Sequence, residues 1–438
     1  MQRRVRVGLI GFGTIGTGVV KILQEQGRQL RSRLGVPLEL VRIADVDLDR
    51  DRGVRVAKGV LTKDARELID DPEIDVVVEL MGGYGLARKF VLRSVANGKS
   101  VVTANKALLA VHGAEICAAV EATGVDLGYE ASVGGGIPII RTLREGLAAD
   151  VNQAVYGIVN GTANYILSQM SDEGGEFETV LAAAQAAGLA EADPTFDVDG
   201  IDSAHKLALL IQLAFGSSVA FEDLPVEGIR GITQLDIQLA REFGYTIKLL
   251  AIAKRDKRRI EARVHPTMVP SDHLLADVGG AFNAIAVEGD ALGSSLYFGQ
   301  GAGMMPTATA VVADIVEVAR NVVSGNRGRV APLGYPIARQ QRATLKPMAD
   351  VITEYYLRFL VLDRPNVLAK IAGILGAHRI SIASMIQRET ESGAEVPIVM
   401  HTHRAREKDL LAALGEIERL SVVRAAPVYI RVENDPGQ

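Results

Sequence analysis

Short apolar runs alternate with longer amphipathic stretches over the first 130 residues. Four apolar runs have the length and composition of buried strands: Val5–Ile10, Leu38–Ile43, Val76–Leu80 and Ser100–Thr103. The stretches between them have helical character, as in Thr14 to about Leu34 and Gly85–Asn97. Strands that alternate with helices predict βαβ units with right-handed crossovers and a parallel sheet. We therefore expect an α/β domain over residues 1–130.

The pattern changes between Ala131 and Pro347, where glycine-rich turns separate the apolar runs. A long helix is predicted over Ile201–Phe215, and strands are predicted over Thr246–Ala253 and Ile260–His265. This mixture of helices, strands and glycine-rich turns favours a second domain of the α+β class over residues 131–347. A further helix, predicted over about residues 307–323, could return to the first domain.

A third domain is predicted over residues 350–432. The runs there follow the order strand, helix, strand, strand, helix, strand: Tyr355–Leu362, Pro365–His378, Ile380–Gln387, Glu395–His403, Glu407–Glu416 and Ser421–Val432. This is the order of a split βαβ, or ferredoxin-like, fold. The stretch Val330–Ala349 contains three prolines and is the predicted linker. We expect a chain that ends near Ala349 to fold without the third domain.

Composition narrows the class of protein. The 438 residues suffice for about three domains, and 48 Lys and Arg against 53 Asp and Glu give a net charge of −5. A mildly acidic chain is a poor candidate for a general nucleic-acid binder. A single cysteine, Cys117, excludes an intramolecular disulfide framework and a cysteine-based zinc cluster. With no 18-residue apolar run and no signal-peptide pattern, we expect a soluble, cytoplasmic protein with no membrane partner.

The sequence Gly11-Phe12-Gly13-Thr14-Ile15-Gly16 follows the first predicted strand and opens the first predicted helix. The first glycine permits a tight turn, the second lets a pyrophosphate approach, and the third allows close helix–strand packing. N–H groups of the helix N-terminus would then bind the phosphates. The motif alone is weak evidence, but its position predicts a dinucleotide site. The alternative is a glycine-rich turn without a ligand.

The end of the second strand bears on the type of dinucleotide. Asp45 stands where an acidic residue usually binds the ribose hydroxyls of NAD and repels the 2′-phosphate of NADP. Arg42 and a basic cluster at residues 50–55 lie close in sequence and favour a phosphate. Asp45 also lies farther from Gly16 than the usual ~20 residues. We therefore predict NAD(P), with a slight preference for NAD.

An acidic segment precedes the long central helix. Residues 191–202 contain five carboxylates: Glu191, Asp193, Asp197, Asp199 and Asp202. Asp202 and Lys206 are four residues apart on the predicted helix and share one face. A lysine at the edge of a buried helix, flanked by carboxylates, suits proton transfer, and carboxylates suit a substrate ammonium group. A solvated acidic loop and a divalent-metal site are the alternatives.

The sequence Thr103-Ala104-Asn105-Lys106 ends another predicted strand. Residues at the carboxyl ends of parallel strands face the cofactor crevice. Lys106 is therefore placed to contact the nicotinamide ribose or the substrate. The alternative is a surface lysine at the start of the next helix.

Five motifs together resemble homoserine dehydrogenase, in its monofunctional bacterial form with a C-terminal ACT domain. They are Gly11–Gly16, Thr103–Lys106, Glu130–Pro138, Asn160–Leu167 and Glu191–Lys206, of which the last is the most specific. The resemblance covers Val5 to about Arg320, and the ACT-like tail adds Tyr355–Arg431. It implies three domains: a Rossmann-type NAD(P)-binding domain, an α+β catalytic and dimerisation domain, and a ferredoxin-like ACT domain.

The resemblance also implies the reaction and its residues. L-homoserine and L-aspartate 4-semialdehyde would be interconverted with NAD(P), in threonine, methionine and isoleucine biosynthesis. The implied catalytic residues are Lys206, Lys106 and Asp202. The implied substrate-binding residues are Glu191, Asp197, Asp202, Gly161 and Thr162. The implied cofactor-binding residues are Gly11, Phe12, Gly13, Thr14, Ile15, Gly16, Gly82, Lys106 and Gly303. Carbonyls and a carboxylate from Glu130, Val133, Gly135 and Ile137 would hold a monovalent cation, usually sodium.

Regulation and assembly follow from the same resemblance. The stretch Asp363–Gly376 looks like the first strand–helix turn of an ACT domain, which pairs with another copy and binds small amino acids. Threonine is the expected effector, and a homodimer or homotetramer is the expected assembly. A dimerisation module without a ligand is the alternative for this domain. For the whole chain, the alternatives are another amino-acid or semialdehyde dehydrogenase and a non-catalytic sensor of the same fold.

Overall fold

A computed structural model describes residues 4–257, 259–387 and 395–436. Its strands are β1 (Val5–Ile10), β2 (Leu38–Ala44), β3 (Leu61–Thr62), β4 (Val76–Glu79), β5 (Ser100–Thr103), β6 (Leu127–Gly128), β7 (Asn152–Ile158), β8 (Ser217–Ser218), β9 (Tyr245–Asp256), β10 (Arg259–Pro270), β11 (Phe282–Gly289), β12 (Gly293–Gln300), β13 (Gln341–Arg342), β14 (Thr344–Leu345), β15 (Ile352–Leu362), β16 (Ile382–Gln387), β17 (Glu395–Thr402), β18 (Ala405–Arg406) and β19 (Val428–Val432).

The helices are α1 (Thr14–Glu25), α2 (Gly27–Leu34), α3 (Arg66–Ile69), α4 (Gly85–Ala96), α5 (Lys106–Thr123), α6 (Ile139–Arg141), α7 (Gly161–Asp172), α8 (Phe177–Ala186), α9 (Thr195–Val198), α10 (Ile201–Phe215), α11 (Gln234–Glu242), α12 (Met304–Ser324), α13 (Val367–Ala377) and α14 (Glu407–Glu418). Within the described ranges, no helix is both long and apolar enough to cross a membrane.

The chain divides into two compact units. The first comprises residues 1–161, 202–223 and 281–343, and the second comprises residues 162–201, 224–280 and 344–438.

A six-stranded parallel sheet organises the first unit. Its order is β3-β2-β1-β4-β5-β6, which confirms the parallel sheet predicted from the alternating pattern. The strand order reverses between β1 and β4, and ligands of such sheets bind in the crevice at this switch point. Helix α12 packs against α1 on one face, around a core that includes Val7, Leu9 and Ile315. The first unit also contains an antiparallel set in which β11 lies between β7 and β12.

The second unit contains a mixed sheet of order β9-β10-β19-β15-β17-β16. Its C-terminal part runs β15-α13-β16-β17-α14-β19, and the antiparallel order β19-β15-β17-β16 is ferredoxin-like, as predicted. Both helices cover one core, which includes Phe359, Ile371 and Leu410. Strand β19 also pairs in parallel with β10, so this part continues the sheet of the preceding residues.

Some predicted boundaries were wrong. The helix predicted from Thr14 to about Leu34 is two helices, because the backbone leaves helical geometry at Gln26. Helix α13 begins at Val367 and not at Pro365, since Asn366 adopts a left-handed conformation with φ 71°. The predicted linker is also not free of structure. Its strand β13 pairs with β8, and β14, close to its end, pairs with β10.

Candidate active site

The glycine-rich loop joins β1 to α1 at the switch point. Gly11 has φ 95°, and a Cβ there would lie 2.6 Å from the Leu80 carbonyl oxygen. A Cβ on Gly16 would overlap the Gly11 carbonyl oxygen, whereas a Cβ on Gly13 would meet nothing within 4 Å. Gly13 is also the N-cap of α1. The loop therefore has one tight turn, one close packing contact and one open position at a helix N-terminus, which fits a pyrophosphate.

Asp45 follows β2 and contacts this loop directly. Its Oδ2 accepts a 2.5 Å hydrogen bond from the Phe12 N–H. Its Oδ1 lies 3.4 Å from a guanidinium nitrogen of Arg52, and the same guanidinium stands 4.7 Å above the Phe12 ring. A carboxylate, which suits a ribose diol, and a guanidinium, which suits a phosphate, thus lie side by side.

A buried glutamate that the sequence analysis missed organises the ends of β4 and β5. Glu79 is fully buried, and its carboxylate accepts hydrogen bonds from the Met81 N–H at 2.9 Å and the Thr103 hydroxyl at 2.7 Å. Burial raises the pKa of Glu79, and these hydrogen bonds oppose the rise. The adjoining loop contains Gly82, which is exposed with φ 72°. The signal that could have revealed Glu79 is a charged residue closing an otherwise apolar strand.

The turn after β5 places Lys106. The Asn105 side chain accepts a 3.1 Å hydrogen bond from the Leu108 N–H and so caps α5. Lys106 is therefore the first residue of a helix whose start is fixed by a cap. The predicted position at the carboxyl end of a parallel strand is observed.

Lys106, Asp202 and Lys206 form one cluster in the first unit. Asp202 Oδ1 lies 2.6 Å from Lys106 Nζ, and Asp202 Oδ2 lies 2.7 Å from Lys206 Nζ. The side chains of Asp202 and Lys206 are 3% and 9% exposed, whereas that of Lys106 is 34% exposed. One buried carboxylate thus bridges two ammonium groups, one of which reaches solvent.

The turn after β7 completes the cluster. Lys206 Nζ donates a 2.5 Å hydrogen bond to the Val159 carbonyl, and Asn160 Nδ2 donates a 2.8 Å hydrogen bond to Asp202 Oδ2. Asn160 belongs to a motif that the sequence analysis singled out, but no role was predicted for it. A polar residue that ends the apolar run Ile158–Val159 was the local signal.

Charge balance decides the state of Asp202. Burial alone would raise its pKa, but Lys206 and Lys106 outweigh burial and hold the pKa well below its usual range. Asp202 is therefore ionised at neutral pH, and its charge holds the Lys206 ammonium in a buried position. Both lysines of this cluster are ammonium donors of the kind that can give a proton to a developing alkoxide.

The glycine-rich segment predicted to hold a cation combines a sharp turn with a hydrogen-bonded carboxylate. Gly134 and Gly135 both adopt positive φ, so the backbone turns sharply between Val133 and Ile137. The Glu130 carboxylate, however, accepts hydrogen bonds from the Ile140 N–H at 2.7 Å and the Arg141 N–H at 2.9 Å. Each Glu130 oxygen keeps a further lone pair, so the segment still offers a carboxylate together with its carbonyl oxygens.

Two further predicted glycines also lie in the first unit. Gly303 has φ 113° and is the N-cap of α12. Gly161 begins α7, and a Cβ there would lie 2.8 Å from the Ala281 carbonyl oxygen. Both positions thus disfavour a larger residue, Gly303 through its backbone conformation and Gly161 through close approach.

The remaining predicted substrate residues belong to the second unit. The Thr162 hydroxyl donates a 3.0 Å hydrogen bond to the Leu189 carbonyl. Glu191 is exposed, and its carbonyl accepts a 3.0 Å hydrogen bond from Gln185 Nε2. Asp197 lies in the short helix α9 and is half-buried. Among the residues that the structure describes, no three His, Cys, Asp or Glu side chains are arranged to hold a metal ion.

Three family profiles match this chain. They are the homoserine dehydrogenase NAD-binding domain over residues 11–130, homoserine dehydrogenase over residues 138–316, and the ACT domain over residues 355–422. Homoserine dehydrogenase of Pseudomonas aeruginosa is 45% identical over 435 residues, and that of Bacillus subtilis is 41% identical over 435 residues. Each alignment covers 99% of both chains.

Solved structures agree with this assignment. Homoserine dehydrogenase from Thiobacillus denitrificans superposes with a TM-score of 0.93 at 46% identity, covering 99% of this chain and 100% of that one. A hyperthermophilic archaeal homoserine dehydrogenase in complex with NADPH gives a TM-score of 0.62 at 26% identity, covering 72% of this chain and 98% of that one. The predicted Rossmann-type, catalytic and ACT folds are confirmed by these matches. This chain therefore belongs to the homoserine dehydrogenase family of NAD(P)-dependent oxidoreductases.

Proposed function

We propose that this enzyme interconverts L-homoserine and L-aspartate 4-semialdehyde through the cluster of Lys206, Asp202 and Lys106. The observation that carries the proposal is the buried Asp202 carboxylate, which bridges both lysines at 2.6 and 2.7 Å. When NAD(P) is bound, its nicotinamide carries the hydride. The protein must then supply orientation, charge and one proton.

Lys206 moves that proton in the proposed mechanism. In the reductive direction its ammonium gives a proton to the aldehyde oxygen, and in the oxidative direction the neutral amine accepts the proton of the homoserine hydroxyl. Asp202 and the Val159 carbonyl hold the ammonium in place. Lys106, which is partly exposed, adds a positive charge where negative charge develops on oxygen.

The second unit supplies the proposed substrate carboxylates. Glu191 and Asp197 bind the homoserine ammonium group, and Gly161 and Thr162 complete the substrate site. The exposure of Glu191 supports this role, because a carboxylate without a buried structural contact is available to a ligand.

The loop 11–16, Gly82, Lys106 and Gly303 form the proposed NAD(P) site. The open space at Gly13 and its place at the N-terminus of α1 support pyrophosphate binding there. The adjacent Asp45 and Arg52 suit a ribose diol and a 2′-phosphate respectively, so we propose that either dinucleotide is accepted. A monovalent cation, held by carbonyls and a carboxylate from Glu130, Val133, Gly135 and Ile137, is the proposed structural ion of the glycine-rich turn.

The C-terminal domain is the proposed regulatory part. Its turn at residues 364–366 is polar and exposed, which suits an amino-acid effector such as threonine. We propose feedback by threonine on an enzyme of threonine, methionine and isoleucine biosynthesis, acting as a homodimer or homotetramer.

The test is homoserine-dependent reduction of NAD⁺ and of NADP⁺ by the full chain, with and without threonine. Serine and threonine in place of homoserine are the substrate controls. Reduction with homoserine alone, at comparable kcat/KM for both dinucleotides and inhibited by threonine, is the expected result. Absence of homoserine-dependent reduction with either dinucleotide would overturn the proposal. If threonine leaves the activity unchanged, the proposed feedback by threonine is wrong and the proposed reaction still stands.

A further inference from the structure

Asn160 makes a contact that the proposed mechanism does not yet use. It follows β7 by two residues, it is 5% exposed, and its Nδ2 donates a 2.8 Å hydrogen bond to Asp202 Oδ2. That oxygen also accepts the 2.7 Å hydrogen bond from Lys206 Nζ. The neighbouring Val159 carbonyl accepts a second hydrogen bond from the same ammonium. The turn after β7 therefore contacts both members of the pair. Its Val159 carbonyl accepts a hydrogen bond from Lys206, and its Asn160 side chain donates one to Asp202.

The carboxylate of Asp202 has little freedom as a consequence. A partial rotation about its terminal torsion would move both oxygens out of line and weaken the contacts with Lys106, Lys206 and Asn160 together. An amide is the group that can fix such a carboxylate without adding charge, because it donates a hydrogen bond and stays neutral. An aspartate in its place has the same shape and adds a negative charge beside the ammonium.

We infer that Asn160 is a positioning residue for proton transfer by Lys206. It orients Asp202 so that each carboxylate oxygen faces one lysine, and its neutrality sets how tightly the ammonium proton is held. The inference rests on the proposed role of Lys206, and it adds a residue that touches neither substrate nor cofactor in that mechanism.

The pH dependence of homoserine oxidation is the measurement that isolates this role. Oxidation needs the neutral amine of Lys206, so kcat rises with pH on the acid limb of its profile. Other titratable groups near Lys206 are Lys106 on α5 and His205 on α10, and Glu222 acts on His205. The profile of Lys206→Ala shows which limb belongs to Lys206.

Asn160→Asp is the isosteric variant. A second carboxylate beside Asp202 holds the ammonium proton more tightly, so the acid limb should move up by about one pH unit and kcat near neutral pH should fall about tenfold. The KM for the dinucleotide should stay within about twofold, since the cofactor loop is untouched. Asn160→Ala is the second variant. It removes the donor without adding charge, so kcat should fall while the limb moves less than in Asn160→Asp.

Asn152→Asp is the matched control. Asn152 begins the same strand β7, it is 4% exposed, and its amide donates a 3.2 Å hydrogen bond to the Ala214 carbonyl. The acid limb of the kcat profile of Asn152→Asp should coincide with that of the wild-type enzyme. Circular dichroism and thermal unfolding establish that each variant is folded.

The outcomes separate the inference from the function on which it rests. If folded Asn160→Asp and Asn160→Ala keep the wild-type profile, or if Asn152→Asp moves the limb equally, Asn160 is not a positioning residue. If Asn160→Asp does not fold, an unchanged profile in Asn160→Ala overturns the inference by itself. If Lys206→Ala keeps both turnover and the acid limb, the proposed role of Lys206 fails instead.

Discussion

Buried lysines in this protein differ in the group that accepts a hydrogen bond from the ammonium. Lys206 has the Asp202 carboxylate at 2.7 Å. Lys248, on β9, is 3% exposed and donates a 2.6 Å hydrogen bond to the Val278 carbonyl. Burial lowers the pKa of Lys248 to about 8, against 10.5 for an unperturbed lysine. A carbonyl dipole stabilises a buried ammonium less than a carboxylate does.

Replacing Lys248 should therefore stabilise the protein at neutral pH. A pKa lowered from 10.5 to about 8 disfavours the charged folded state by about 3 kcal/mol, and the lost hydrogen bond offsets about 1 kcal/mol of this. This destabilisation of the folded state is fully present below pH 8. It vanishes above pH 10.5, where the lysine is neutral in both the folded and the unfolded state. Denaturant unfolding should show that Lys248→Met has a higher free energy of unfolding than the wild-type protein at pH 7. The difference between the two proteins should be smaller at pH 10. A Met variant less stable at pH 7 would contradict this.

The acidic segment gives a second residue-scale prediction. Glu191→Gln should raise the KM for homoserine more than the KM for the dinucleotide, because it removes a carboxylate proposed to bind the substrate ammonium. Asp193→Asn is the matched control, since Asp193 is an exposed acid of the same segment that accepts a hydrogen bond from the Thr195 N–H. Steady-state kinetics with both substrates varied provide the comparison. A change in the dinucleotide KM alone would place Glu191 in the cofactor site.

At the scale of elements, the loop between β1 and α1 assigns different roles to its glycines. Gly13→Ala should leave stability nearly unchanged, because a Cβ there meets nothing within 4 Å and φ is −75°. The added methyl occupies the space proposed for the pyrophosphate, so dinucleotide binding should weaken by about tenfold or more, which corresponds to about 1.4 kcal/mol. Gly16→Ala should instead destabilise the fold, since its Cβ overlaps the Gly11 carbonyl oxygen.

Dinucleotide titration and thermal unfolding of both variants check this prediction. A Gly13→Ala variant that binds NAD⁺ and NADP⁺ normally would show that the pyrophosphate lies elsewhere.

Periodicity predicted the ends of the short strands β1 and β5 better than those of the strands in the second unit. Helix α10 has the predicted bounds, because Gly200 and Gly216, both with positive φ, flank it. Strand β10 is longer than predicted, since Pro266 and Pro270 suggest breaks that the pairing with β9 tolerates. Strand β19 is shorter than predicted, because Pro427, which lacks an N–H, precedes its first residue. Strand ends depend on partners that are distant in sequence.

The same limit applies to the candidate site. The i,i+4 spacing of Asp202 and Lys206 made their contact predictable, and the motif context placed Lys106 near the cofactor crevice. Glu79 and Asn160 act through partners 24 and 42 residues away. No local pattern connects such residues, so their roles depend on which strands are neighbours. The roles of the site residues and the domain limits remain predictions.

At the scale of the whole molecule, the C-terminal domain is joined to the rest of its unit by buried charges. Arg431 on β19 is 3% exposed and pairs with Glu407 and, at 2.8 Å, with Glu227. Arg358 on β15 pairs at 2.7 Å with Asp236 of α11, which is fully buried. From the sequence we expected a chain that ends near Ala349 to fold without residues 350–432, and that expectation did not include these contacts. A chain ending near Ala349 would leave β10 without β19 and Asp236 without Arg358.

Arg431→Met should consequently destabilise the protein strongly. Removing one partner of a buried ion pair costs about 3–5 kcal/mol, because the remaining carboxylate is left without its counter-charge. Arg342→Met is the matched control, as Arg342 pairs with Asp223 on the surface, where an ion pair contributes about 0–1 kcal/mol. Denaturant unfolding of both variants measures the difference. Equal stability would show that the C-terminal domain is not held by this network.

The turnover of Lys206→Ala tests the proposed role of Lys206 in proton transfer. Homoserine oxidation is measured at saturating NAD⁺ for the wild-type enzyme, for Lys206→Ala and for Lys99→Ala, a second buried lysine whose Nζ donates to the Ile74 carbonyl. We expect Lys206→Ala to fold, keep its dinucleotide affinity and lose about 10²- to 10⁴-fold in kcat, whereas folded Lys99→Ala keeps most of its turnover. Near wild-type turnover in folded Lys206→Ala would show that Lys206 does not transfer the proton.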